Sequence, residues 1–97
     1  SYKVAIEQQK IDMVLSLACC DVRYGLTNKE RKLLTACRFS LAKKIFFGED
    51  SRMAAGLLDA FYRSLPQIRN GSRVLSPKEA SRSDKRRIRE GVKAYRL

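Results

Sequence analysis

Histidine and tryptophan are absent from this chain of 97 residues, and cysteine, proline and glycine are scarce. Without histidine, a cysteine or serine nucleophile lacks its usual base. The sequence also has no glycine-rich phosphate loop and no separated carboxylate cluster that would suit two metal ions. We therefore expect a protein that is not an enzyme and that needs no cofactor.

The three cysteines, Cys19, Cys20 and Cys37, do not form a disulfide or zinc pattern. Their number is odd, and the side chains of adjacent residues on a helix point about 100° apart. The usual zinc spacings are missing, because there is no C-x-x-C pair and no histidine. The sequence predicts reduced, mostly buried cysteines and no metal site, as expected in the cytoplasm or, in a eukaryotic or viral setting, the nucleus.

Long apolar runs are also missing. No stretch approaches the roughly 18 uninterrupted apolar residues that indicate a membrane span. The beginning of the sequence lacks the basic region and long apolar run of a secretory signal. We expect a soluble, intracellular protein with no membrane partner.

Positive charge is what the chain has in excess, with 21 Lys and Arg against 10 Asp and Glu and a net charge of +11. Residues 71–97 alone carry nine basic and three acidic side chains, and arginine outnumbers lysine there by six to three. The planar guanidinium of arginine suits phosphate groups and guanine edges. This excess predicts nucleic acid as the partner, and an acidic protein remains an alternative.

Apolar residues recur at helical spacing and predict a single, small all-α domain. Residues 1–70 are expected to form a core of three helices, and residues 71–97 a turn and a basic C-terminal helix of the same domain. Helix one is predicted over residues 2–24. Its middle, residues 13–20, is apolar nearly all round, which indicates either a central position in the domain or a second copy of the chain. Of the two, a homodimer is favoured.

Local motifs predict the bounds of the next two helices. Thr27 and Glu30 form a capping-box pattern at the start of helix two, and Gly48 ends it. Helix three is expected to open at Asp50 or Ser51. It then runs along an apolar line at four-residue steps through Met53, Leu57, Phe61 and Leu65.

A turn is predicted at Asn70 and Gly71, after the third helix. A brief strand pair is conceivable around it. Nothing else in the sequence offers a good strand partner, so no substantial sheet is expected.

The C-terminal helix is predicted to begin after Ser76, because Pro77 and Glu79 complete a helix-start pattern with it. At 100° per residue, five cations fall on one face, and we call them the basic row: Arg82, Arg86, Arg89, Lys93 and Arg96. Lys78 and Lys85 flank this row. A narrow apolar strip beside it, expected to tether the helix, consists of Ile88, Val92 and Tyr95.

Helix two carries a weaker set of cations on one side, Lys29, Lys32 and Lys43. Positive charge near a helix N-terminus opposes the helix dipole, and a neighbouring phosphate would remove that conflict at Lys29 and Lys32. Ordinary exposed lysines are the alternative interpretation of this set.

These patterns together predict a nucleic-acid-binding protein, with DNA favoured over RNA. Its simplest form is a small transcriptional regulator that contacts phosphates through the C-terminal helix. Two alternatives remain open. One is a double-stranded RNA binder, which would recognise A-form shape and phosphates. The other is a protein-interaction module that docks its basic helix on an acidic partner.

Overall fold

A computed structural model describes the backbone of residues 2–17 and 25–96 and the side chains of residues 7–16 and 25–95. This part of the chain contains four helices and one two-stranded sheet, so the predicted all-α class is confirmed. The elements are α1 (Tyr2–Leu17), α2 (Asn28–Phe46), α3 (Arg52–Ser64), β1 (Ile68–Asn70), β2 (Arg73–Leu75) and α4 (Pro77–Arg96). Residues 18–24, at the predicted end of helix one, lie outside the described residues, as do Cys19 and Cys20.

Helix α2 begins where its sequence motif predicts. The Thr27 side chain accepts a hydrogen bond from the Glu30 backbone N–H (3.1 Å), and the Glu30 carboxylate accepts one from the Thr27 backbone N–H (2.8 Å). Two backbone donors that the helix leaves unsatisfied are thereby paired. At the other end, Gly48 has a φ of 67°, a left-handed conformation that favours glycine and ends the helix.

Helix α3 corrects the predicted apolar line. Met53 and Leu57 are exposed. Phe61 and Leu65, the last two members of that line, are buried as predicted. A helix has 3.6 residues per turn, so a line drawn at four-residue steps rotates about 40° at each step, and only part of it lies on the buried face. The full buried face consists of Ala54, Leu58, Phe61, Tyr62 and Leu65, in which spacings of three and four are joined by the adjacent pair Phe61 and Tyr62.

The segment between α3 and α4 contains the brief strand pair that the sequence allowed. Strands β1 and β2 pair antiparallel, and Ile68 lies opposite Leu75 at the base, where both are buried. The two-residue connection begins with Gly71 at a φ of 62°, as tight hairpin turns require. The hairpin returns the chain from α3 to the start of α4.

One apolar core joins all four helices. Helix α4 packs against α1, α2 and α3, so it is a central element of the domain as well as the basic one. The largest fully buried apolar side chains are contributed by every helix: Ile11, Val14, Leu41, Leu58, Tyr62 and Ile88.

Helix α1 uses much of its apolar face inside the chain. Ile11 and Val14 are buried in the shared core, and Leu15 packs against that core. Met13 is exposed. Residues 17–20 of the apolar middle lie outside the described side chains, and the homodimer that it predicted remains a prediction.

Candidate nucleic-acid interface

Helix α4 starts with a second capping box, as predicted. The Ser76 hydroxyl accepts a hydrogen bond from the Glu79 backbone N–H (3.1 Å), and the Glu79 carboxylate accepts one from the Ser76 backbone N–H (3.3 Å). Glu79 also pairs with Arg73 of β2 at 2.8 Å. These contacts fix the first turn of a continuous helix of 20 residues, which is about 30 Å long.

The basic row lies on the exposed face of α4. Arg82, Arg86, Arg89 and Lys93 are all exposed. Within the described part of the chain, no carboxylate lies at ion-pair distance from any of these four. The side chain of the fifth member, Arg96, lies outside the described residues. The four described cations thus present their charge to solvent without a neutralising neighbour in the part of the chain that the structure describes.

The opposite face of α4 is fixed in the core by apolar contacts and by one buried charge. Ile88 and Val92 are buried as predicted, and Tyr95 packs at the edge of the core. Asp84 is also fully buried, at 0% exposure. Its carboxylate accepts hydrogen bonds from Arg38 Nε of α2 (2.9 Å) and from the Tyr62 hydroxyl of α3 (2.7 Å). One side chain of α4 therefore binds two other helices and fixes which face of α4 points outward.

A groove of about 660 Å³ runs between α3 and α4, beside the basic row. Its exposed cations come from both helices: Arg63, Lys78, Arg82 and Arg89. Asp59 lies in the same groove and accepts hydrogen bonds from Lys85 Nζ (2.7 Å) and from the Ser81 hydroxyl. The hydrogen bond from Lys85, followed by that from Ser81, holds the pKa of the Asp59 carboxyl below its ordinary value. Asp59 and Lys85 thus offset each other, and the net charge of the groove comes from its other cations.

Lys85 therefore differs from the other predicted flanking residue, Lys78. Lys85 is only 17% exposed and its ammonium is engaged by Asp59. Lys78 is exposed. The carboxylate that engages Lys85 lies 26 residues earlier on α3, and no local pattern in α4 indicates it.

The structure does not bring the α2 lysines to the surface that carries the basic row of α4. Lys29, Lys32 and Lys43 are exposed along one side of α2. Arg38, whose side chain reaches Asp84 of α4, lies on a different side of that helix. The α2 lysines consequently face away from α4, and the predicted site residues form two separate basic surfaces.

Two residues that matter at this site were missed by the sequence interpretation. Arg63 joins the groove because the buried face of α3 is set by Leu58 and Tyr62 rather than by the predicted apolar line. The sequence patterns assign no role to Asp84. A signal for its burial was present, because it lies four residues from both Ala80 and Ile88 on the apolar face.

Within the described ranges, no group of three or more cysteine, aspartate or glutamate side chains is placed to hold a metal ion. Cys37 is a buried free thiol, and burial raises its pKa. Among the helices of residues 2–17 and 25–96, none has both the length and the apolar character that crossing a membrane requires.

Comparison with known proteins gave no match to a family model, to a curated protein or to a solved structure.

Proposed function

We propose that this protein binds nucleic acid through the exposed face of α4 and the adjoining groove with α3. The observation that supports this most directly is the basic row, whose four described cations are exposed and have no carboxylate at ion-pair distance in the described part. Like charges at this spacing destabilise a helix slightly unless an anion binds beside them. A row of phosphates is the natural partner for such a surface.

The way α4 is packed favours contacts to the phosphate backbone over contacts to bases. Helix α4 touches three other helices, so only one side of it is available to a ligand. Phosphate contacts position a protein on a duplex and supply most of the salt-dependent affinity. We infer that sequence preference, where it exists, comes from the arginines of the row, since the guanidinium fork also fits guanine edges in a DNA major groove.

DNA is favoured over RNA in this proposal. The major groove of B-form DNA is wide enough to admit a helix, whereas the major groove of A-form RNA is deep and narrow. A small DNA-binding regulator, without enzymatic activity of its own, is the specific form of the proposal. Double-stranded RNA and an acidic protein are the competing partners, and the same experiment distinguishes them.

The test removes charge from the basic row without shortening its side chains. Four or five phosphate contacts predict a slope of log affinity against log salt of roughly −4 on duplex DNA. The double variant Arg86→Gln with Arg89→Gln should bind more weakly and have a slope shallower by about 1.8, because two contacts are lost. Both side chains are exposed, and glutamine forms helices nearly as well as arginine, so the helical circular dichroism should be unchanged.

The matched control is Lys29→Gln with Lys32→Gln, which removes the same charge from the exposed face of α2. This variant should retain the native slope. If both double variants lose the same affinity for duplex DNA, the basic row is only one part of a diffuse positive charge on the protein surface. If neither variant changes binding to matched DNA and RNA duplexes, the proposal fails and an acidic protein becomes the leading partner. Tighter binding of RNA than of DNA would identify a double-stranded RNA binder.

A further inference from the structure

We propose that the groove between α3 and α4 binds the terminal phosphate of a nucleic-acid strand, an inference that rests on the nucleic-acid binding proposed above. A phosphate at a strand end is a monoester, whereas the phosphates within a strand are diesters. The groove contains a cation that the basic row lacks, Arg63 of α3. Binding of strand ends can therefore be measured separately from binding along the row.

Three cations from two helices meet at one end of the groove, and we call them the groove cluster: Arg63, Lys78 and Arg82. Arg63 lies in the last turn of α3, and the other two lie in the first two turns of α4. The hairpin between these helices reverses the chain, so the end of α3 lies beside the start of α4. All three side chains are exposed. Among the residues that the structure describes, no carboxylate lies at ion-pair distance from any of them.

The carboxylate that lines the groove does not neutralise the groove cluster. Asp59 accepts hydrogen bonds from Lys85 Nζ at 2.7 Å and from the Ser81 hydroxyl. Its negative charge is thus already paired with Lys85, which does not belong to the cluster. The cluster keeps its positive charge for a ligand, and neighbouring cations of this kind attract anions.

The shape of the groove favours a strand end over the body of a duplex. Its volume of about 660 Å³ lies within the range of clefts that hold small ligands. Helices that pack directly lie about 8–10 Å apart, whereas the major groove of B-form DNA alone is about 12 Å wide. A duplex that lies on the basic row is therefore too broad to enter between α3 and α4. A phosphate that projects from a strand end is small enough to enter.

The chemistry of a terminal phosphate also suits this cluster. The second pKa of a phosphate monoester is about 6, so the group is mostly a dianion at neutral pH, whereas an internal phosphate carries a single charge. The monoester also presents three acceptor oxygens. Arginine donates paired hydrogen bonds to such oxygens, and Arg63 and Arg82 approach from opposite walls of the groove. The groove therefore distinguishes a strand end from a strand interior by charge and by the number of free oxygens.

A short blunt DNA duplex, prepared with a hydroxyl or with a phosphate at its strand ends, tests this site by fluorescence anisotropy at fixed ionic strength. The native protein should bind the phosphorylated duplex about tenfold more tightly, which is the effect of one further charge-assisted hydrogen bond. Phosphates at the 5′ and 3′ ends are measured separately, and a preference for either supports the site. Equal affinity for all of these duplexes contradicts it.

Arg63→Gln should abolish the preference for a phosphorylated end, because it removes the cation from the α3 wall of the groove. Its affinity for the hydroxyl-ended duplex should be nearly unchanged. The matched control is Arg31→Gln, which removes an exposed arginine of α2 outside the groove and should keep the preference. Arg86→Gln lies on the basic row and outside the groove, so it should weaken binding of both duplexes by the same factor.

The outcomes separate this site from the proposed function. Duplex binding that depends on Arg86 but shows no preference for a phosphorylated end would overturn the groove site and leave the proposed function standing. Loss of the preference in Arg63→Gln and Arg31→Gln alike would also overturn the site. So would binding of a free nucleoside monophosphate as tight as that of the phosphorylated duplex, since the strand would then contribute nothing. A protein that binds neither DNA nor RNA duplexes would overturn both proposals.

Discussion

Helices α3 and α4 border the same groove, and their exposed faces have opposite chemistry. Each helix buries one apolar face in the common core. The exposed face of α3 carries Met53 and Leu57, whereas that of α4 carries the cations of the basic row. An amphipathic pattern therefore identifies which side of a helix is buried but not what the other side does. Here the outer face of α4 is the surface that we propose meets a polyanion, whereas the outer face of α3 carries exposed apolar side chains.

The largest effect on the free energy of unfolding is expected from replacing Asp84, because this residue connects α4 to both α2 and α3. Asp84→Asn keeps the shape of the side chain and removes the negative charge beside the Arg38 guanidinium. Removing one partner of a buried ion pair costs about 3–5 kcal/mol. We expect a loss of that size in the free energy of unfolding, measured by urea denaturation followed by circular dichroism.

Glu90→Gln is the control for that loss, because it removes a carboxylate from an exposed position on the same helix. Glu90→Gln should change the free energy of unfolding by less than about 0.5 kcal/mol. A similarly small effect of Asp84→Asn would mean that the buried pair contributes little and that apolar packing alone orients α4.

A smaller effect on the free energy of unfolding is expected from Tyr62→Phe, which removes the hydrogen bond from α3 to Asp84 of α4. The Tyr62 hydroxyl donates to the Asp84 carboxylate at 2.7 Å. A hydrogen bond to a charged group contributes about 1.5–3 kcal/mol, and the free energy of unfolding should fall by that amount in urea denaturation. The loss should shrink when Asp84→Asn is already present, since the charged acceptor is gone. Equal losses in both backgrounds would contradict a direct contact.

The smallest effect on the free energy of unfolding is expected from the pair of Asp59 and Lys85, which joins α3 to α4 at the edge of the groove. The pKa of Asp59 is lowered in the folded chain by its hydrogen bonds from Lys85 and Ser81. Such a group contributes stability above its unfolded-state pKa, near 3.9, and this stability is lost as the pH falls through the lower folded-state pKa. The contribution is modest, because the Asp59 side chain is 37% exposed and solvent screens the pair.

Unfolding curves between about pH 6 and pH 3 measure this contribution. The native protein should lose stability below about pH 4 more steeply than an Asp59→Asn variant. Parallel curves for the two proteins would contradict a stabilising role for the pair.

The sequence predicted what depends on neighbouring residues and missed what depends on distant ones. Capping boxes need only residues three apart, so the starts of α2 and α4 were confirmed. The exposed position of the basic row followed from helical periodicity. The two partners of Asp84 lie on α2 and α3, one of them 46 residues away, and the partner of Lys85 lies on another helix, so none of these contacts could be derived from local spacing. The buried face of α3 was predicted correctly at Phe61 and Leu65 but not at Met53 and Leu57, because a four-residue line departs from the true helical repeat.

The division of α4 into two faces also has a consequence for how freely its sequence can change. The residues that hold the helix in place, such as Asp84 and Ile88, are not the residues that meet solvent. Substitutions at exposed positions without special contacts usually change stability by less than about 0.5 kcal/mol. Mutational drift in the outer face can therefore change the charge and shape of that face while the fold is retained. This makes the domain a scaffold on which a binding surface can be replaced residue by residue.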